Sequence, residues 1–321
     1  MKALSVLVLS LSSAAVALTA PSAAFASGLE APVVGGTPVR AGEWPDTVAV
    51  LASNAMCSGT LIAPDVVLTA GHCIETHPKL VVVGSVDLAK PAGTAIAVKS
   101  ATAYPSWRSS YDVGVLVLDH AAPAKPRAIA SACTAKEHLA VGEKVHVVGF
   151  GLTTESGEGT NTRLHEAMIP IVDPTCYRDP YCQSSIAPGG EFTAGGNGVD
   201  ACFGDSGGPI YIDTKAGPAL IGVVSRGEAM IGEPCGGGGV YVRADAVASW
   251  IEKTTGRKLT RSACDEPADD DGTDGSDAPA DDGAGGCSAG REAVGGGALL
   301  GLLVLTVICA LPLRRTPVAP D

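Results

Sequence analysis

Aromatic and charged residues are both scarce in this chain. Only 4% of its 321 residues are aromatic and only 17% are charged. So few charges exclude a coiled coil, and a hydrophobic fraction of 46% argues against a disordered protein. Basic residues are not in excess either, since Lys and Arg number 22 against 34 acidic residues. The chain therefore lacks the electrostatic signature of a nucleic-acid-binding protein.

The acidic excess belongs to one segment near the C-terminus. The net charge is −12, and residues 265–283 hold nine acidic residues and no basic one, which leaves −3 for the rest. Residues 263–286 are chiefly Asp, Gly, Ala, Pro and Ser, which have little apolar surface to bury, so we expect a disordered, solvated linker. Weak calcium binding is the alternative. The carboxylates lack the regular spacing and the closing Glu of a calcium loop.

The first 26 residues have the pattern of a signal peptide. A positive start at Met1-Lys2 precedes the apolar run Ala3–Ala20, and Ala24-Phe25-Ala26 is a small-x-small motif that signal peptidase accepts. A buried N-terminal helix is the alternative. Export would place the ten cysteines in an oxidising compartment, where they are candidates for disulfides.

The C-terminal end contains a long apolar run. Ala293–Leu313 is 21 residues without a charge, closed by Arg314-Arg315. Such a run is long enough to cross a bilayer as a helix, with the arginines on the cytoplasmic side. A buried core helix is the alternative, which the acidic linker before it and the basic pair behind it disfavour. We therefore expect a transmembrane or sorting tail over residues 287–315.

Short apolar runs separated by turn residues predict a β-rich domain over residues 33–262. The runs are too short and too β-branched to be helices, and Gly or Pro interrupts nearly every gap. Only Ala244–Lys253 has the period of an amphipathic helix. The pattern predicts an all-β sandwich or barrel that ends in one helix. The expected strands are Thr47–Leu51, Cys57–Ile62, Val66–Ala70, Leu80–Val83, Val113–Leu118, Lys144–Phe150, Ala219–Val224 and Val240–Val242.

Three motifs supply the residue types that nucleophilic catalysis needs. In Gly204–Pro209 a serine lies between glycines, and a serine needs a base to take its proton as it attacks. The glycines allow a tight turn in which the amides of Gly204 and Ser206 point toward one oxyanion. His72, in a Leu-Thr-Ala-Gly-His-Cys segment, offers the base. Asp112 precedes an apolar strand and must be paired or exposed, because an isolated buried charge is too costly.

In the chain order His72, Asp112, Ser206, the motifs resemble those of the trypsin-like (chymotrypsin-fold) serine endopeptidases. The similarity covers about residues 33–253. It implies two packed antiparallel six-stranded β-barrels with a C-terminal helix, acting on polypeptides. It gives Ser206 the role of nucleophile and His72 that of general base and then acid. Asp112 would orient the imidazole and stabilise its cation.

The resemblance also implies a specificity pocket. Asp200, six residues before Ser206, corresponds to the pocket floor. A carboxylate there selects Arg or Lys at the cleaved position, because a buried charge needs a compensating cation. A solvated loop acid is the alternative. Gly227 and Gly239 correspond to the two walls of the pocket, and Ser225 is a further expected substrate-binding residue.

An activation step follows from the same resemblance. Cleavage before Val33 would free an α-amine that pairs with Asp205, and this ion pair orders the oxyanion hole formed by the amides of Gly204 and Ser206. Residues 27–32 would then be a short propeptide. Pro32 precedes the cleaved bond, so a trypsin-like enzyme would not cut there. Either another peptidase processes this site, or the pro-form is removed in an unusual way.

Disulfides are expected in the folded domain. The resemblance implies one bridge beside His72 and one beside the specificity pocket. The segment Phe192–Gly195 lacks the family's cysteine, so a local pair of this chain's own is expected. The expected pairs are Cys57–Cys73, Cys202–Cys235 and Cys176–Cys182, with Cys133–Cys264 as a guess and Cys287 and Cys309 unassigned.

Two residues depart from the family pattern. Arg226 stands where the family usually has tryptophan, a change that would favour acidic residues just upstream of the cleaved bond. Ser85 stands where calcium-binding relatives carry glutamate, so no calcium site is expected. No other metal or cofactor is expected, and proteinaceous inhibitors are further candidate partners.

The C-terminal tail carries a second resemblance. Gly286-Cys287, the apolar run and Arg314-Arg315 resemble the sorting tails of myxobacterial surface proteins, which implies processing at Cys287. A permanent transmembrane anchor is the alternative. The sequence thus predicts an exported, envelope-anchored endopeptidase that cuts after Arg or Lys. A non-catalytic relative that serves as a binding module is the alternative. Such relatives lose a triad residue, and none is lost here.

Overall fold

The computed structural model describes residues 33–264, apart from 91, 178 and 229–233. The predicted signal peptide, propeptide and membrane tail, and the linker from residue 265 onward, lie outside the described residues. Within the described part, no helix is both long enough and apolar enough to cross a bilayer.

Strands dominate the described residues. In chain order they are β1 (Thr37–Pro38), β2 (Thr47–Leu51), β3 (Met56–Ala63), β4 (Val66–Thr69), β5 (Leu80–Val83), β6 (Thr94–Ala103), β7 (Gly114–Leu118), β8 (Lys144–Gly149), β9 (His165–Asp173), β10 (Glu191–Ala194), β11 (Pro209–Ile212), β12 (Ala219–Gly227) and β13 (Gly239–Arg243). The α-helices are α1 (Gly71–Ile74), α2 (Ala132–His138) and α3 (Ala244–Thr255), and a 3-10 turn spans Trp107–Ser109.

The strands form two closed barrels of six. The first has the order β2-β3-β4-β7-β6-β5. The second has the order β8-β9-β10-β13-β12-β11 and closes through β11 and β8, while β1 pairs with β9. Every strand pairing is antiparallel. The predicted architecture of two six-stranded antiparallel barrels and a C-terminal helix is confirmed.

Each barrel encloses its own apolar cluster. Val48 and Ile96 belong to the cluster of the first barrel. Ile169 and Ile221 belong to that of the second. These four side chains are fully buried. Burying a side chain of this kind stabilises the fold by about 1.5–3 kcal/mol, so the two clusters hold the barrels closed.

A further buried cluster draws on both barrels and on α3. It includes Leu68 of β4 and Ile251 of α3. His72 follows β4, Asp112 comes before β7, and Ser206 comes before β11 of the second barrel. The packing of the barrels therefore brings residues far apart in the sequence to one junction.

The end of the domain is tied to α2 and to the segment before it. Ile129 N–H donates to the Thr260 carbonyl at 2.9 Å, and Ser262 N–H donates back to the Ile129 carbonyl at 2.9 Å. Cys133 and Cys264 form a disulfide, as guessed. The other disulfides in the structure are the expected pairs Cys57–Cys73, Cys176–Cys182 and Cys202–Cys235.

Candidate active site

His72 and Asp112 form a hydrogen-bonded pair. His72 Nδ1 lies 2.9 Å from Asp112 Oδ2, and the His72 backbone N–H donates to Asp112 Oδ1 at 2.9 Å. Ser225 Oγ donates to Asp112 Oδ2 at 2.8 Å. Because a carboxylate at Nδ1 favours the proton on that nitrogen, Nε2 is left as the proton acceptor.

The environment of Asp112 keeps it ionised. Burial acts to raise its pKa, but the hydrogen bonds from His72 and Ser225 and the charge of His72 outweigh burial, so the pKa of Asp112 is below its ordinary value. An anionic carboxylate at this position stabilises the cation that forms when the imidazole takes up a proton.

Ser206 lies in a turn with left-handed glycines on both sides. Gly204 has φ +101° and Gly207 has φ +79°, a region that residues with a Cβ rarely adopt. A Cβ at Gly207 would lie 2.1 Å from Thr69 Oγ1 at the end of β4. Ser58 binds the turn to the first barrel, since its N–H donates to the Ser206 carbonyl and its hydroxyl to the Gly204 carbonyl, both at 2.9 Å.

The turn leaves two backbone donors free. The N–H groups of Gly204 and Ser206 make no hydrogen bond within the described part of the chain. Two unengaged amides on one turn can receive a developing oxyanion. Among the described residues, no hydrogen bond joins Ser206 Oγ to His72, so proton transfer requires this bond to form when substrate is bound.

His72 and Ser206 line the same cavity, which has a volume of about 310 Å³. Ser225 and Gly227 line it as well, as does the Cys202–Cys235 disulfide. The cavity therefore joins the predicted nucleophile and base to two of the predicted substrate-binding residues. Asp200 and Gly239 are not among its lining residues.

Asp200 lies beyond the lining of the cavity, next in the chain to one of the lining residues. Its neighbour Ala201 lines the cavity, and a Cβ at Gly239 would lie 3.1 Å from Asp200 Oδ1. The carboxyl is fully buried, accepting from Tyr241 OH at 2.9 Å and from Gly238 N–H at 3.1 Å. Burial raises the pKa of Asp200 to about 7, although these hydrogen bonds oppose it. Full burial excludes the solvated loop acid.

Asp205 is a second buried acid in the same loop. Its carboxyl accepts from Gly151 N–H at 2.7 Å and from Cys202 N–H at 2.9 Å. Burial raises its pKa to about 7 in spite of these bonds, and no cation contacts it within the described residues. Val33 is also fully buried, but no described hydrogen bond or ion pair joins it to Asp205 in the uncleaved chain.

Arg226 makes contacts that sequence reasoning missed. Its Nη1 lies 2.8 Å from Glu191 Oε1 and its Nη2 lies 2.9 Å from Glu191 Oε2. It also donates to the Tyr181 carbonyl and, through Nη1, to Ser225 Oγ at 2.9 Å. Because Glu191 balances its charge, Arg226 gives no support to the expected preference for acidic substrate residues. The sequence signal for this contact was Glu191, an acidic residue at the start of the fully buried strand β10.

Comparisons with known proteins agree with this geometry. A family model described as Trypsin matches residues 33–251. The chain is 34% identical over 227 residues to a trypsin from Saccharopolyspora erythraea, covering 67% of this chain and 94% of that protein. It is 32% identical over 235 residues to chymotrypsin-like elastase family member 1 from Bos taurus, covering 68% and 88%. The counterpart from Macaca fascicularis is 30% identical over 243 residues, covering 69% and 89%.

Proposed function

Because the chain belongs to the trypsin family of serine proteases, we propose that it is an endopeptidase that cuts polypeptides after Arg or Lys, exported and anchored in the cell envelope. That it is a serine endopeptidase follows from the family. The observation that carries the specificity is the fully buried carboxyl of Asp200, which no cation among the described residues balances.

The proposed reaction uses the three residues at the junction of the barrels. His72 Nε2 takes the proton of Ser206 Oγ as that oxygen attacks the scissile carbonyl. The amides of Gly204 and Ser206 stabilise the oxyanion. His72 then gives the proton to the leaving amine, which breaks the peptide bond and leaves an acyl-enzyme. A water molecule, deprotonated by His72, hydrolyses the ester and restores the free serine. Asp112 stays ionised throughout and holds the imidazole.

Specificity in this proposal comes from Asp200. A buried carboxylate without a cation is costly, so a substrate guanidinium or ammonium that reaches it through the cavity gains a charge-assisted hydrogen bond. Gly227 lines the cavity, and Gly239 lies next to the carboxyl, since a Cβ there would be 3.1 Å from Asp200 Oδ1. Glycine at these positions leaves room for a long side chain.

Activation in this proposal comes from cleavage before Val33. The new α-amine would supply the cation that Asp205 lacks, and the ion pair would hold the loop that carries the oxyanion amides. Val34 is already placed beside this loop, because its carbonyl accepts from the Asp200 N–H at 3.1 Å.

Export and anchoring rest on the ends of the chain and on the disulfides. The disulfides fit an oxidising compartment. Cys264 is the last described residue, and its disulfide with Cys133 ties it to α2. The acidic linker therefore starts from a fixed point on the domain. An apolar run at the end of that linker would then hold the peptidase at the envelope.

The decisive experiment is cleavage of a peptide library by the exported, processed protein, with products identified by mass spectrometry. The expected profile is dominated by Arg and Lys on the acyl side of the cleaved bond. The Ser206→Ala protein is the control and should be inactive. A profile of small or aromatic residues would refute the specificity, and an active control would refute the mechanism.

A further inference from the structure

Resting on the proposed peptidase function, we propose that Arg226 is a positioning residue for the catalytic carboxylate. It acts by fixing the direction in which the Ser225 hydroxyl donates its proton. Its Nη1 donates to Ser225 Oγ at 2.9 Å, and Ser225 Oγ lies 2.8 Å from Asp112 Oδ2. Arg226, Ser225 and Asp112 thus form a continuous line of hydrogen bonds that ends at His72.

The direction of the Ser225 proton follows from the chemistry of its neighbours. A guanidinium has donors only, so Ser225 Oγ can only accept from Arg226. A hydroxyl has a single proton, which therefore goes to Asp112 Oδ2. Because the donor to this hydroxyl is a permanent cation, the hydroxyl is polarised and becomes a stronger donor to the carboxylate.

Glu191 holds the guanidinium in place. Its carboxylate is 1% exposed and binds both terminal nitrogens of Arg226. The Tyr181 carbonyl accepts from Nε at 2.8 Å and from Nη2 at 2.6 Å. With these groups fixed, one N–H of Nη1 is directed at Glu191 and the other at Ser225 Oγ. The fully bound guanidinium is pre-organised, so little conformational entropy is lost when the line forms.

Arg226 would therefore contribute to the rate of turnover without contacting the reacting atoms. If Ser225 loses its donor, its hydroxyl can rotate away from Asp112, and the carboxylate that orients His72 loses one of its three hydrogen bonds. Such a loss affects the step in which charge develops on the imidazole, and hence kcat. Arg226 also lines the cavity, so a change in KM alone would indicate only a role in the substrate wall.

A double-mutant cycle separates these roles. We expect Arg226→Met to lower kcat about tenfold, the size of one hydrogen bond to a charged group. Added to Ser225→Ala, the same substitution should change kcat less than about twofold, because the connecting hydroxyl is already gone. An equal loss in both backgrounds would overturn the proposal. Glu191→Gln is a second variant that keeps Arg226, and its kcat should also fall only when Ser225 is present.

Arg257→Met is the matched control. Arg257 makes a two-point bond to Asp65, at 2.9 and 2.6 Å, and neither residue lines the cavity that contains His72 and Ser206. Loss of that bond removes an arginine–carboxylate pair of the same kind and should leave kcat unchanged. A tenfold fall in this control would mean that loss of any such pair slows the enzyme, which would also overturn the proposal.

A second readout does not depend on activity. In the full-length Ser206→Ala protein, the NMR resonance of the proton between His72 Nδ1 and Asp112 reports on that hydrogen bond. Arg226→Met should move it, and should not move it further in the Ser225→Ala background. An unmoved resonance overturns the proposal. If the wild-type protein hydrolyses no peptide that the Ser206→Ala protein leaves intact, the proposed function is refuted. The NMR resonance would still decide whether Arg226 acts on the bond between His72 and Asp112.

Discussion

Replacing Asp205 by asparagine should remove a pH-dependent loss of stability from the uncleaved chain. The carboxyl is fully buried with two backbone donors and no cation among the described residues. Burial raises its pKa from an ordinary value of 3.8 to about 7, so the folded chain holds this proton more tightly than the unfolded chain does. The stability that comes from the protonated carboxyl is present below about pH 4 and is lost as the pH rises through 7.

The size of the effect follows from the same pKa. A rise from 3.8 to about 7 corresponds to a loss on the order of 4 kcal/mol between pH 4 and pH 8. Asp205→Asn has a constant cost of its own, about 1–3 kcal/mol, because its amide nitrogen cannot accept from the Cys202 or Gly151 N–H. That cost does not vary with pH. The prediction therefore concerns the slope of stability against pH, not its absolute value.

Urea denaturation of uncleaved protein between pH 4 and pH 8 measures this slope. Both proteins should carry Ser206→Ala, which prevents self-digestion. The free energy of unfolding should fall with pH more steeply for Asp205 than for Asp205→Asn. After cleavage before Val33, the α-amine should reduce the difference. Parallel pH profiles of the two uncleaved proteins would refute the reasoning.

Four further predictions concern Ser206, Asp200, the end of the folded domain and Cys287. Ser206→Ala should lower kcat by about 10⁶-fold with the circular dichroism spectrum unchanged, because the triad acts as a unit. Asp200→Ser should abolish the preference for Arg and Lys in product profiling, and a retained preference would count against the pocket floor. A chain ending at Asp265 should be released in soluble form with full activity, whereas Cys264→Ala in it should cost about 2–4 kcal/mol of stability in urea denaturation. Cys287→Ala should trap a precursor in the membrane fraction if the tail is a sorting signal, and change nothing if it is an anchor.

The strands that the sequence predicts are those with large β-branched side chains. Each of the eight expected strands overlaps an observed one, and α3 begins at Ala244 as expected. The strand β6 was not predicted from the sequence, because it is mostly exposed and rich in alanine, with Ile96 as its single fully buried residue. β9 alternates buried and less buried residues, but Pro170 inside it argues against an inner strand. β1 has only two residues, and β10 and β11 begin with Glu191 and Pro209, residue types that are depleted in strands.

Local motifs predict the residues of the site but not the bonds between them. Ser206 stands in a motif whose glycines the turn requires, and His72 follows Gly71, where a Cβ would lie 2.9 Å from Trp107 Cβ. Both residues can therefore be read from the sequence. The bond from Ser225 to Asp112 joins residues 113 positions apart, and that from Arg226 to Glu191 joins residues 35 apart. Such contacts depend on how the strands close into barrels. Arg226 lines the cavity, but its charge is balanced within the protein by Glu191.

The charges of Asp200 and Asp205 couple activation to specificity. Both carboxyls are fully buried in a single loop, which the Cys202–Cys235 disulfide holds in place. Burial is the main cause of the raised pKa of Asp200, and the charge of Asp205 raises it further. An α-amine at Val33 that neutralises Asp205 would remove that repulsion, so Asp200 would ionise more readily at neutral pH. An ionised Asp200 is the form that attracts a substrate cation. Cleavage before Val33 would thus order the oxyanion amides and, by the same charge, strengthen binding of Arg or Lys at Asp200.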